Sequence, residues 1–130
     1  MGSYVFETEI NDDSEHVYGE LYKVLRENNW IVLSYVDLKE ILEKNFSTKY
    51  PYFFILDVCK PPAAKELIEY NRKIGLFLPC KIIIEETGQN RSKVSLLRVS
   101  ELDRSYLGGN GKIAEKYENE LINVIKSVKK

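Results

Sequence analysis

One histidine, His16, is all the imidazole this chain has. It falls off the core stripe of a predicted helix, so a histidine-rich metal site and a Ser-His-Asp relay are both excluded. Cysteine is nearly as scarce. Cys59 and Cys80 are too few to furnish the four ligands of a closed zinc site, and in a reducing compartment they read as free thiols rather than a structural staple. No apolar run approaches the roughly 18 residues of a membrane span, and the first residues lack a basic region followed by an apolar one; neither a membrane nor a secretory route is expected. Charge of one sign is missing too. The 19 Lys plus Arg offset 20 Asp plus Glu to a net −1, which leaves no field to steer the chain toward nucleic acid. The expectation is a soluble cytoplasmic protein.

What is present fits one domain spanning all 130 residues, 44% of them hydrophobic, enough for a real core. Alternation from Tyr4 to Ile10 predicts a strand with one wetter face. After Asn11-Asp12-Asp13-Ser14 the spacing changes: Val17, Leu21, Val24 and Leu25 mark one stripe of a helix that Asn28-Asn29 ends. Residues 30–36 read as a second strand. Asp37 with Glu40 resembles a capping box for a short helix with Leu38, Ile41 and Leu42 inward. Residues 52–58 form a nearly unbroken apolar run, expected to be a central strand covered on both faces. Pro61-Pro62 suit the first turn of a helix over 63–70, with Leu67 inward and Gly75 at the exit. Residues 81–85 and 93–98 flank a polar loop and predict a hairpin. Residues 101–111, with Gly108-Gly109-Asn110-Gly111, read as a flexible connector. A C-terminal amphipathic helix over 112–130 follows, with Ile113, Tyr117, Leu121, Val124, Ile125 and Val128 as its stripe. The order β-α-β-α-β-α-β-β-α in one small domain argues an α/β fold of the α+β type: a mixed sheet with helices packed largely on one face.

The two thiols occupy matching settings, Val58-Cys59-Lys60-Pro61-Pro62 and Leu78-Pro79-Cys80-Lys81, each at a proline-marked strand boundary beside a lysine. No established reaction motif accompanies them. Cys59 precedes a helix whose N–H groups and dipole favour a thiolate, and Lys60 adds positive charge. Asp57, two residues earlier on the same face, works against ionisation. The sulfurs share one end of the sheet only if the Cys80 strand runs antiparallel to the Cys59 strand. Set against this is the ordinary role of a free cysteine as a small buried hydrophobe, of Lys60 and Lys81 as solvated charges, and of Asp57 as a turn or cap residue. The Gly108–Lys112 run before a helix lacks the Walker spacing, and Ile113 stands where the magnesium-binding hydroxyl would be.

Three segments carry a resemblance. Ile31-Val32-Leu33 through Asp37-Leu38-Lys39, then Ile55 to Ala64, then Ile74 to Lys81 resemble the successive signature segments of the domain of unknown function 302 family, over residues 4 to 100. The resemblance implies a compact α/β domain, usually a homodimer, with no settled activity. Lys60 and Lys81 stand where the family has asparagine after each cysteine, Asp57 where a small residue is usual, and Asn29-Trp30 replace a glycine-rich stretch. The segment from Gly108 onward has no clear counterpart. The reading that follows is a dimeric domain holding a small ligand or thiol-reactive species near Cys59 and Cys80, with Lys60, Lys81 and Asp57 as further candidates. It assigns no metal and no cofactor. The alternatives are a thiol-dependent redox enzyme, with Cys59 attacking and Cys80 resolving, and an interaction module without chemistry.

Overall fold

A computed structural model describes residues 3–128. Its elements are β1 (Val5–Ile10), α1 (Ser14–Glu27), β2 (Ile31–Asp37), α2 (Leu38–Phe46), β3 (Phe53–Cys59), α3 (Pro61–Tyr70), a 3-10 helix (Arg72–Phe77), β4 (Cys80–Gly88), β5 (Arg91–Leu97), α4 (Val99–Tyr106) and α5 (Lys112–Lys126). The strands form one five-stranded sheet in the order β1-β5-β4-β3-β2. Among the described residues no helix is long and apolar enough to cross a membrane.

The α+β class, the strand and helix order and the one-sided helical layer match the sequence reading. The sheet, however, is antiparallel throughout rather than mixed, because every strand pairing is antiparallel. The helical crossovers are the reason. After α3 the chain breaks at Asn71, whose side chain accepts from the Lys73 amide at 2.9 Å. It then turns back through the compact 3-10 helix, so β4 starts at the end where β3 stopped. Likewise α2 and the loop after it return the chain to the end where β2 finished.

Helix α1 has Asp13 as its N-cap, accepting from the His16 amide at 2.9 Å, and lays Val17, Leu21 and Leu25 on one face of the sheet. With Leu121, Val124 and Ile125 of α5 they cover Phe54, Leu56 and Val58 of β3, Ile82 and Ile84 of β4, and Val94 and Leu96 of β5. The alternation in β3 is strict: Phe54, Leu56 and Val58 are buried, while Phe53, Ile55 and Asp57 are only partly so. This corrects the expectation of a strand covered on both faces. Burying aliphatics on one side supplies the core, at roughly 25 cal/mol per Å² of apolar surface removed from water, and no helix is left to cover the other.

Three further segments differ from the sequence reading. Helix α2 begins at Asp37 as expected, whose carboxylate accepts from the Glu40 amide at 3.1 Å, but it has no buried residue and Ile41 is 45% exposed. Residues 101–111, read as a flexible connector, carry most of α4 and a packed loop. Asp103 is 1% exposed and accepts from the Tyr70 hydroxyl and the Gly111 amide, both at 3.0 Å. A Cβ on Gly109 would lie 2.0 Å from that hydroxyl, so the glycines permit close packing here rather than motion. In the hairpin, the expected polar loop shrinks to Gln89-Asn90, with Asn90 at φ 53°.

Candidate functional site

The antiparallel arrangement brings the two cysteine settings to one end of the sheet. Cys80 opens β4 opposite Val58, and Cys59 closes β3 one residue further on. Where α3 leaves this end, a cavity of about 230 Å³ opens, bordered by Trp30, Cys59, Lys60, Leu67, Pro79 and Cys80 together with Ala63 and Ala64. Helical spacing places Ala63 and Leu67 on the inner side of α3, where both are buried. The alanines are what leave the space, since any longer side chain there would occupy it. A second void of about 20 Å³ lies deeper. It shares Trp30, Ala63, Leu67 and Cys80 with the first and reaches Tyr117 and Glu118 of α5. That is room for about one water molecule.

The charged groups around this cavity are engaged. Lys60 Nζ makes an ion pair with Glu120 and sits 5.3 Å from the centre of the Trp30 ring. The Trp30 Nε1–H donates to Glu120 Oε1 at 3.1 Å, which fixes the indole as a wall. Pro61 and Pro62 occupy the first two helical positions of α3, and Lys60 provides no side-chain cap. Proline has no N–H, so two of the donors that normally make a helix start attractive to anions are missing.

Neither thiol is activated. Burial pushes Cys59 above its ordinary value. Burial pushes Cys80 up to about 12, with the Glu118 carboxylate and Cys59 adding to it. The thiolate-favouring helix start expected from sequence is therefore outweighed, because desolvation acts on each sulfur and the prolines weaken the donor set. Glu118 itself is 4% exposed. Burial raises its pKa, although the carboxylate accepts from the Ser100 amide at 2.5 Å, the Ser100 hydroxyl at 2.6 Å and Arg98 Nε at 3.3 Å.

The five residues singled out from sequence divide between the two sides of the sheet. Cys59, Lys60 and Cys80 border the cavity. Asp57 and Lys81 face each other on the uncovered side as a cross-strand ion pair, with the Ser34 hydroxyl donating to Asp57 Oδ2 at 2.8 Å. Alternation explains the split, because Lys81 is one residue beyond Cys80 and so points the opposite way. Trp30, Ala63, Leu67 and Glu118 are the cavity residues that sequence reasoning passed over. The Ala63–Leu67 spacing behind a double proline is the one local signal that marked them; Trp30 and Glu118 arrive from distant parts of the chain.

One antiparallel sheet, helices on a single side and an apolar cavity at the thiol-bearing end define a small two-layer α+β domain. The chain belongs to the family described as domain of unknown function DUF302, whose model matches residues 6–128. The match includes the segment from Gly108 onward, for which the sequence resemblance alone had suggested no counterpart. A crystal structure of an uncharacterised conserved DUF302 protein from Bacillus stearothermophilus superposes with a TM-score of 0.87 at 20% identity, covering 96% of this chain and 98% of that one. At that identity the likeness speaks to the fold. No curated protein matches the chain.

Proposed function

We propose that this domain is a binding module, dimeric as its family resemblance implies, that holds a small neutral apolar ligand in the cavity beside Cys59 and Cys80. The observation that carries the reading is a cavity of about 230 Å³ walled by Trp30, Leu67, Pro79 and two protonated thiols, with its one cation already paired. An anion finds little there, since the helix start has lost donors to Pro61 and Pro62. A ring compound finds an indole face, a proline ring and two polarisable sulfurs, all favourable neighbours for an aromatic edge or face. Engineered cavities of about 150 Å³ with aliphatic walls take up benzene, so the volume suits one or two fused rings.

Trp30 is the only tryptophan, so its emission reports on the cavity directly. Titration with benzene, indole and naphthalene is expected to give a saturable change in that emission and a rise in Tm that follows ligand concentration. Ala64→Phe, which fills the cavity from α3, is expected to abolish both. Unchanged emission and Tm across the series would remove this reading.

A thiol redox enzyme finds less support. Burial holds both thiols protonated, and a protonated thiol does not attack.

A further inference from the structure

The apolar cavity and the small void behind it are two compartments with a common wall, because Trp30, Ala63, Leu67 and Cys80 line both. Ala63 and Cys80 are small side chains, so the partition they make is thin. The inner compartment, about 20 Å³, is bounded otherwise by Leu96, Val99, Ala114 and Leu121, and its surface is almost wholly apolar. Its two polar neighbours are engaged elsewhere. The Tyr117 hydroxyl donates to Glu66 Oε2 at 2.9 Å, and the Glu118 carboxylate is taken up by Ser100 and Arg98. A buried water needs two to four polar partners, and a void that lacks them stays dry. The atoms around a dry void are short of contacts, so they gain when an apolar group enters. A space the size of one water takes about one methyl group.

We propose that the ligand of this cavity is a ring carrying an unbranched alkyl arm, the ring against Trp30 and Pro79 in the outer compartment and the arm passing Ala63 and Cys80 into the inner one. The proposal rests on the cavity being an apolar binding site, and it narrows the ligand from any small neutral ring compound to one class. Shape makes the choice. A second fused ring is rigid and as wide as the first, whereas an alkyl arm is one carbon wide and ends in the methyl group that the inner compartment fits. Charge excludes the acids of the same size, since an arm ending in a carboxylate would bring a second anion beside buried Glu118 with no partner of its own. Each methylene taken out of water into such a site is worth about fourfold in affinity. A hydroxyl in place of the last methyl gives up water and finds no free partner in the inner compartment.

Titration of the full chain with benzene, toluene, ethylbenzene and propylbenzene, followed by Trp30 emission and by Tm, tests this. The Kd is expected to fall about fourfold with each added carbon. 2-Phenylethanol, which has a hydroxyl where propylbenzene has its terminal methyl, is expected to bind at least tenfold more weakly than propylbenzene. Ala114 and Val99 line the inner compartment and not the outer one. Ala114→Val fills it from α5, and Val99→Ile, the milder change, fills it from the start of α4; each is expected to cut the ratio of propylbenzene to benzene affinity at least fourfold. The second variant keeps the test in hand where the first does not fold. No response to any of the compounds would overturn the apolar binding site and this inference together. Benzene binding followed by a flat series, 2-phenylethanol binding as tightly as propylbenzene, or an unchanged ratio in a folded filling variant would overturn this inference alone.

Discussion

The two sides of the sheet at the cysteine end start from nearly the same local sequence and finish as different environments. On the covered side Cys80 meets Trp30 at an apolar cavity, with Glu118 lining the smaller void behind it, and burial suppresses ionisation of the thiol. On the uncovered side Asp57 and Lys81 pair in reach of water, and the carboxylate is kept charged. Neighbouring residues on one strand thus obey opposite electrostatics. The lesson is that a cysteine–lysine dipeptide on a strand is not one site but two, separated by the thickness of the sheet.

The sharpest way to break this comparison is thiol reactivity. With Cys80 pushed up to about 12 against an ordinary 9.0, its thiolate fraction near pH 8 falls about a thousandfold, and alkylation should slow accordingly. Iodoacetamide labelling followed by peptide mass spectrometry is expected to find Cys80 essentially unmodified in the folded protein and Cys59 modified faster than Cys80 but slower than a free thiol. Fast labelling of Cys80 would show the covered side to be open to solvent.

Truncation in β3 gives the next largest contrast. Leu56, with no exposed surface, is expected to cost about 2–5 kcal/mol on Leu56→Ala. Ile55, the next residue along but on the uncovered side, should cost less than half as much on Ile55→Ala, as urea unfolding would measure. Equal costs would mean that the uncovered side is sealed by something in solution.

The smallest effect is the pH profile, where the two sides should act with opposite signs. Burial raises the Asp57 pKa, but the Lys81 and Ser34 hydrogen bonds and the Lys81 charge outweigh it, so the net shift is downward from 3.8. Its stabilisation is present above that value and lost as pH falls through the lowered one; Asp57→Asn is expected to flatten this acid limb by less than about 1 kcal/mol. Glu118 is shifted upward from 4.5 by burial. Its contribution is present below 4.5 and lost as pH rises through the raised value, so stability should improve slightly on mild acidification before the acid limb begins.

Much of the fold is legible in the chain because its signals are local. Caps at Asp13 and Asp37, the double proline before α3 and the stripe of α5 all announce elements whose backbone needs are met within a few residues. The missed features depend on distant partners. The apolar run of β3 reads as covered on both sides because sequence carries no record of which layer stays empty, and Ile41 reads as inward with Leu38 and Leu42 because helical spacing alone does not tell an exposed apolar residue from its half-buried neighbours. Gly108 to Gly111 suggest looseness until Tyr70 and Asp103 are seen pressed against them. At the site, the cysteines stood out by their repeated setting, whereas Trp30 and Glu118 reach the same cavity from residues that no spacing rule connects to them.

The strand at the start of the chain is seated against the one that completes the sheet, Val5 opposite Leu97 and Ile10 opposite Ser92. During translation β1 therefore emerges long before its neighbour β5 exists. Strands β2 to β5 can zip together in the order they leave the ribosome, while β1 and the α1 helix behind it wait. Until β5 has been made, β1 has no strand to pair with, so the earliest-made strand of the sheet is the last to find its partner.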